Sequence, residues 1–149
     1  MIRLNLPEYT FKYKKIEDVT YIYDMLRNKF IVLTPEEWVR QNFVSFLISE
    51  KKYPKGLMGN EISLVQNGIK RRCDTLVGNG EGAPFVIVEY KAPSIEITQN
   101  VFNQIVRYNS VFKAKYLIVS NGLSHYCCCV DYVNNKVEFL KDIPEYSEL

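Results

Sequence analysis

The sequence predicts an α/β (α+β) fold, in which a mixed β-sheet is flanked by helices. Three β-like segments lie between two segments with helical periodicity, at about residues 61–65, 71–77 and 84–91. The run 116–120, which follows the second helical segment, is continuously apolar, as is typical of a strand covered on both faces. Antiparallel strands followed by a helical crossover into a buried strand indicate a mixed sheet with helices on its faces.

The bulk properties are those of one folded domain. The chain has 149 residues, 47% of them hydrophobic, which is enough for one core, and we expect a single domain over 1–149. The net charge of +2 permits a nucleic-acid partner without arguing for one. No segment is long and apolar enough to cross a membrane, and the N-terminus lacks the apolar part of a signal peptide, so we expect a cytoplasmic protein.

The first 33 residues look like a β-rich extension that precedes a core at 34–140. Segments 20–23 and 29–33 flank a polar stretch and predict an N-terminal β-hairpin. The first helix then begins with a clear signal: Thr34 as N-cap, Pro35 in the first turn and Glu37 completing a capping box. Apolar residues follow at helical spacing: Val39, Phe43, Phe46 and Leu47. We expect this helix to end near Lys52, before the stretch Tyr53-Pro54-Lys55-Gly56.

The remaining elements follow in a regular order. Asn67 and Gly68 form a strong two-residue turn signal between the first two core strands. The segment 78–82 is a Gly-rich turn between the next two strands. A second helix begins near Thr98, and further strands are expected at 116–120, 125–130 and 136–140.

Two acidic residues and a lysine stand at the ends of the central predicted hairpin. Asp74 and Glu89 lie about equally far from the Gly-rich turn, so the two carboxylates can face each other across paired strands. Lys91 shares a face with Glu89, because side chains alternate along a strand. Acids and a lysine at the end of an apolar strand are costly unless they bind something, and Mg²⁺, which takes oxygen ligands, is the natural candidate.

The cysteines and the single histidine do not indicate a separate site. Three of the four cysteines are consecutive (127–129), which is not the spacing of a zinc site, and they suit a buried strand as small apolar fillers. His125 begins a predicted strand, and a structural role is expected for it. No Ser-His-Asp or Cys-His arrangement is visible, which disfavours acyl transfer.

At this point the chain resembles the PD-(D/E)XK nuclease superfamily and, more narrowly, the N-terminal nuclease domain of type I restriction enzyme R subunits. The matching stretches are 34–40, 72–74, 88–93 and 104–108, separated by the expected helices and strands. Cys73 replaces the proline of the superfamily's Pro-Asp pair. The chain has no phosphate-binding loop for an ATP-driven motor, so we expect a free-standing domain without translocation activity.

The resemblance implies a Mg²⁺-dependent DNA nuclease, with Mn²⁺ as a substitute, that hydrolyses phosphodiester bonds. Asp74, Glu89 and the backbone carbonyl of Tyr90 would hold the metal, and Lys91 would orient the attacking water. Glu37 corresponds to the helical acid of the superfamily and could complete the metal shell. Its alternative role is the capping box, which occupies the side chain at the helix start.

Further residues have both a functional and a structural interpretation. Gln104 and Tyr108 form a Gln-x-x-x-Tyr element, in which the two side chains share one helix face over the site; alternatively, Tyr108 belongs to the core. Lys70, Arg71 and Arg72 run into Asp74 and are candidates for contacts with DNA phosphates or, for Arg72, a pair with Asp74.

Two alternatives to a nuclease stay open. One is a nucleic-acid-binding module that keeps the fold but does not cut, and the other is a protein-interaction module of a restriction or defence system. Other subunits of such a system would then be partners beside DNA. A homodimer would let two sites cut two strands, although no residue indicates one.

Overall fold

The computed structural model describes residues 1–149, which form two sheets and two helices. No helix is long and apolar enough to span a lipid bilayer. The elements in chain order are β1 (Tyr13–Ile16), β2 (Val19–Asp24), β3 (Lys29–Val32), α1 (Pro35–Ser49), β4 (Met58–Gln66), β5 (Ile69–Gly78), β6 (Pro84–Tyr90), α2 (Gln99–Asn109), β7 (Tyr116–Ser120), β8 (His125–Asp131) and β9 (Lys136–Leu140).

The main sheet has six strands in the order β4-β5-β6-β7-β8-β9. Every neighbouring pair is antiparallel except β6 and β7, which are parallel because α2 carries the chain back across the sheet. All five residues of β7 are buried, as its continuous apolar run predicts. The mixed sheet with helices on its faces is therefore confirmed.

Each face of the main sheet has its own hydrophobic core. On the α1 face, Val39, Phe43 and Leu47 of the helix pack on the inward-facing residues of the central strands. On the α2 face, Phe102 and Ile105 pack over a second set of buried residues. Cys127 and Cys128 are buried on opposite faces of β8, one in each core, so the expected role of the cysteines as apolar fillers is confirmed.

The N-terminal segment forms a three-stranded antiparallel sheet rather than the predicted hairpin. The additional strand, β1, has the sequence YKKI, whose two lysines and full exposure give little β signal. This sheet packs with one face inward, since Ile22 and Asp24 of β2 are completely buried. Leu4, still earlier in the chain, belongs to the core on the α1 face.

The first helix starts where the sequence predicts but ends earlier and is capped differently. The Thr34 hydroxyl accepts a hydrogen bond from the backbone N–H of Glu37 at 3.0 Å, so the N-cap is confirmed. The Glu37 side chain binds elsewhere, so only half of the capping box forms. The helix ends at Ser49, before Lys52, whose left-handed backbone (φ 59°) is incompatible with a further turn.

The tight turn before β8 predicts a stability effect at Gly122. Its φ is +85°, and a Cβ there would lie 2.6 Å from Leu4 Cδ2 and 3.2 Å from Val39 Cγ2. Gly122→Ala should therefore lower the free energy of unfolding by about 1–3 kcal/mol, measured by urea unfolding. Gly56→Ala is the control, because no atom lies within 4 Å of that Cβ position; an equal loss for both variants would contradict the argument.

Candidate active site

Asp74 and Glu89 lie opposite each other on the paired strands β5 and β6. The register pairs Thr75 with Val88, which places Asp74 beside Glu89 at the next position. The backbone N–H of Tyr90 donates to Asp74 Oδ2 at 2.9 Å and fixes the orientation of this carboxylate. The hairpin geometry expected from the sequence therefore brings the two acids together.

Glu89 carries an acidic group in surroundings that disfavour its charge. Burial, reinforced by the nearby Asp74 carboxylate, raises the pKa of Glu89 to about 9. Its Oε1 atom is buried and has no hydrogen-bond partner in the protein. A buried, unpartnered carboxylate oxygen beside a second carboxylate is destabilising, and a cation at this position would relieve the cost.

The helical acid within electrostatic reach of Asp74 is Glu36, whereas Glu37 is engaged by arginines. The pKa of Glu36 is raised by partial burial and then by the negative charge of Asp74, while Arg40 and Lys91 act in the opposite direction. Glu36 is therefore within electrostatic reach of both Asp74 and Lys91. Sequence reasoning missed this residue, because the capping-box pattern drew attention to its neighbour.

Glu37 is buried in an ion-pair network and is not free in this structure to bind a metal. Arg27, in the turn after β2, binds Glu37 Oε1, and Arg40 Nε donates to Glu37 Oε2 at 3.1 Å. Gln41 Nε2 also donates to Oε1, at 3.0 Å. Two arginines and an amide thus compensate this carboxylate within the protein.

Arg40 connects this network to the strand that carries Asp74. Its Nη1 donates to the backbone carbonyl of Asp74 at 2.6 Å, and its Nη2 donates to Glu61 at 2.5 Å. Glu61 lies on β4, on the other side of β5 from Glu89, and has a left-handed backbone (φ 56°). Arg40, which is 4% exposed, therefore holds the Asp74 backbone from the α1 side.

Both side chains of the Gln-x-x-x-Tyr element are exposed on α2. Gln104 is exposed, and Tyr108 is 43% exposed with its hydroxyl 3.4 Å from the backbone N–H of Arg72. Tyr108 is therefore not a core residue either. The residue of α2 that reaches Glu89 is the buried Asn109, whose side chain favours the ionised form of that carboxylate.

The three basic residues before Asp74 each have different surroundings. The Arg71 guanidinium lies 4.8 Å from the centre of the Tyr108 ring, in a cation–π arrangement. Arg72 pairs with Glu61 at 2.7 Å rather than with Asp74, which corrects the expected pairing. Lys70 is exposed near the end of the β4–β5 hairpin.

The donor set fits a hard cation that keeps most of its water. No three acidic, cysteine or histidine side chains are close enough to enclose a metal ion by themselves. Mg²⁺ does not require such an enclosure, since it is commonly held by one or two carboxylates and several waters. Asp74 and Glu89 supply two carboxylates, and the unpartnered Glu89 Oε1 is the observation that favours the ion.

His125 has the structural role that the sequence suggested. Its Nδ1 is 2.7 Å from the Ser120 hydroxyl and its Nε2 is 2.9 Å from the carbonyl of Asn5. Burial lowers the pKa of His125, so the ring favours the neutral form. It links the N-terminal segment to the end of β7.

These features belong to a defined class of restriction-enzyme domain. The family model of the type I restriction enzyme R protein N terminus (HSDR_N) matches residues 35–144. The chain belongs to that family. A search of curated protein sequences gave no match.

The fold is also similar to a solved structure. That structure is described as the fragment of "a putative HsdR subunit of a type I restriction enzyme from Vibrio vulnificus YJ016". The TM-score is 0.56 and the sequence identity is 21%. The match covers 78% of this chain but 24% of the other chain, so it supports the fold.

The raised pKa of Glu89 predicts that the metal-free protein loses stability as pH rises. The carboxyl titrates near pH 4.3 in the unfolded chain and at about 9 in the folded one, so its contribution is fully present below about pH 4 and lost as pH rises towards 9. With a chelator present, Glu89→Gln should raise the free energy of unfolding by at least about 1 kcal/mol near neutral pH or above, with little effect near pH 4.

Urea unfolding at several pH values measures this difference. Glu96→Gln is the control, since Glu96 is exposed before α2 and should change stability at neither end of the range. A pH-independent difference between the parent protein and Glu89→Gln would show that the charge on Glu89 is not the cause.

Proposed function

We propose that this chain is a metal-dependent DNA nuclease domain of the restriction type, which hydrolyses phosphodiester bonds with Mg²⁺. The observation that carries the proposal is the buried, unpartnered Glu89 carboxylate oxygen beside Asp74. Membership in the R protein N-terminal family supports the assignment to a restriction or defence system. DNA and other subunits of such a system are the partners that this proposal implies.

Asp74, Glu89 and the backbone carbonyl of Tyr90 would hold the cation. When bound, the cation supplies charge stabilisation at the phosphate and lowers the pKa of a water molecule. Asp74 is pre-oriented for this role, because its Oδ2 already accepts from the Tyr90 N–H, which leaves Oδ1 available. Mn²⁺ should replace Mg²⁺, since carboxylate and carbonyl oxygens suit both ions.

Lys91 and Glu36 complete the proposed site. Lys91 would orient the attacking water and offset the charge of the scissile phosphate, as its compact ammonium allows. Glu36 lies within electrostatic reach of Lys91 and Asp74 and would contact the ion through its hydration shell. Lys70 and Arg71 would contact the DNA backbone next to the site, and Gln104 and Tyr108, which are exposed on α2, would contact a phosphate or orient Lys91.

Cleavage assays test the proposal directly. Asp74→Ala, Glu89→Gln and Lys91→Met should each reduce Mg²⁺-dependent cleavage by about 100-fold or more, because each removes a metal ligand or the group that positions water. Supercoiled plasmid, linear duplex and single-stranded DNA are the substrates, with Mg²⁺ or Mn²⁺ added after chelation.

Two variants serve as controls for these assays. Glu81 lies in the exposed turn between β5 and β6, and Lys141 lies after β9. Glu81→Gln and Lys141→Met should therefore cleave DNA at the parent's rate. Activity that survives in both Asp74→Ala and Lys91→Met would overturn the proposal. Salt-dependent DNA binding without cleavage by the parent protein would select the non-cleaving alternative.

The two adjacent helical acids should respond differently to substitution. Glu36→Gln should weaken Mn²⁺ binding by about 10-fold with little change in stability, because it faces the site from a partly exposed position. Glu37→Gln should lower the free energy of unfolding by on the order of 3 kcal/mol, because it removes the buried carboxylate that Arg27 and Arg40 share and leaves each arginine with one acidic partner. Calorimetric Mn²⁺ titration and urea unfolding measure the two effects.

The opposite assignment, in which Glu37 rather than Glu36 is the helical metal ligand, predicts a different pair of results. A stable Glu37→Gln protein with weakened Mn²⁺ binding, beside a Glu36→Gln protein with the parent's affinity, would restore Glu37 as the helical metal ligand. Glu50→Gln, at the other end of α1, is the matched control for both measurements.

A further inference from the structure

The outer face of the N-terminal sheet has an unusual composition for a solvent-exposed surface. Ile22 and Asp24 of β2 point inward, so Tyr21 and Tyr23, which alternate with them along the strand, point outward. Antiparallel pairing then brings Phe30 beside Tyr23 on the same face. Each of these three aromatic side chains is half-buried and so leaves part of its ring in contact with solvent.

The outward-facing side chains form two rows across the three strands. Neighbouring rows are separated by two residues along each strand, or about 7 Å. Each row begins with an exposed lysine on the β1 side and continues with an aromatic residue on β2. The rows are Lys12, Tyr23 and Phe30, and Lys14, Tyr21 and Val32.

Positive charge is concentrated directly over the aromatic rings. The Lys14 ammonium lies 4.5 Å from the centre of the Phe30 ring and 5.9 Å from that of Tyr21. The Lys12 ammonium lies 5.8 Å from the centre of the Tyr23 ring. The strand residues of this face include no acidic side chain, so the charge of the two lysines is uncompensated there.

This combination selects among the chemical classes of ligand. Lysines attract a polyanion, and exposed rings favour one that carries planar aromatic groups. The bases of duplex DNA are stacked on each other, so their faces are not available to protein rings, whereas a single strand offers them. An acidic peptide would use the lysines and not the rings, and a second copy of the face would bring lysines near lysines.

We propose that this outer face binds single-stranded nucleic acid, with bases stacked on Tyr21, Tyr23 and Phe30 and with phosphates bound by Lys12 and Lys14. The face lies outside residues 35–144, the part of the chain that matches the restriction-enzyme family. It includes none of the residues of the proposed metal site. Binding here therefore requires neither the cation nor cleavage, and the proposal does not rest on the proposed function.

Salt-dependent binding tests the part played by the lysines. The measurement is fluorescence anisotropy of labelled oligothymidylate with the full chain in a chelating buffer, at several salt concentrations. K12Q/K14Q should weaken binding at least 10-fold at low salt and reduce the slope of log affinity against log salt by about 1.4, the value for two lost phosphate contacts on a single strand.

The matched control is K51Q/K115Q, which removes the same charge from elsewhere on the surface. Lys51 lies 5.7 Å from the centre of the Phe46 ring, and Lys115 lies 5.3 Å from that of Tyr116, so each is also a lysine over an aromatic ring. This variant should change affinity by less than about two-fold, because neither residue belongs to the face. Equal effects of the two double variants would overturn the proposal.

Stacking of bases on the tyrosine rings can be tested separately from phosphate binding. Y21L/Y23L keeps apolar side chains at both positions and should weaken binding by about five-fold to 100-fold without changing the salt slope. The same variant should bind an abasic oligonucleotide as well as the parent does, since no base is present to stack. An equal loss on the abasic probe would contradict stacking.

Further measurements distinguish single-stranded nucleic acid from other ligands of this face. If unlabelled duplex DNA displaces the labelled single strand at equal concentration, the proposal is wrong, and the face binds phosphates without contacting the bases. Dimers that Y21L/Y23L converts to monomers in sedimentation, with oligonucleotide affinity unchanged, would overturn the proposal and assign the face to a second copy. The chelating buffer excludes metal-dependent cleavage, so this binding result is independent of any failure of the cleavage assays.

Discussion

A closed circuit of buried polar contacts holds the candidate site together. Starting from β6, the Tyr90 hydroxyl contacts Thr75, Thr75 donates to Asn60, and Asn60 donates to Asp24 of the N-terminal sheet. From Asp24 the contacts pass through Arg27, Glu37 and Arg40 to the carbonyl of Asp74, whose carboxylate accepts from the Tyr90 N–H. Because removing any member leaves a buried partner unsatisfied, the circuit fixes the N-terminal sheet, α1 and the three strands β4, β5 and β6 in one arrangement.

This circuit explains why α1 is so polar for a buried helix. Glu37, Arg40 and Gln41 are buried beside the apolar residues that pack on the main sheet. A helix that only covered a sheet would place such residues in water. Here Arg27, in the turn after β2, binds Glu37, and Arg40 binds Glu61 and the Asp74 carbonyl, so the polar side chains of α1 are buried with polar partners. The extension before the family match is thus part of the support of Asp74 rather than an appended module.

The sequence was most informative where strands decide the geometry and least informative where helices do. Alternation along a strand has only two outcomes, so Asp74 and Glu89 could be placed opposite each other from their distances to one turn. On a helix each residue is rotated by about 100° from the last, and an error of one position selects a different face. On α1 the structure engages Glu37 with arginines, and Glu36 is the acid whose pKa responds to Asp74; on α2 no sequence pattern indicated Asn109, whose side chain influences the pKa of Glu89. The strand β1 and the arginine network depend on contacts distant in sequence, for which no local pattern exists.

The strongest physical argument for a site at this place is that Glu89 lacks the arginine partner that other acids near it have. Glu37 and Glu61 each have arginine partners, so their charges are compensated within the protein. Glu89 is buried without such a partner and lies beside Asp74, although Arg40 is close enough to bind the Asp74 carbonyl. Glu89 differs from these acids because it has no arginine partner and, as its raised pKa indicates, is held in the neutral form when no cation is bound. In the proposed function a cation from solution would favour the ionised form of Glu89, and the Asp74 backbone held by Arg40 would keep the two carboxylates in place to bind it.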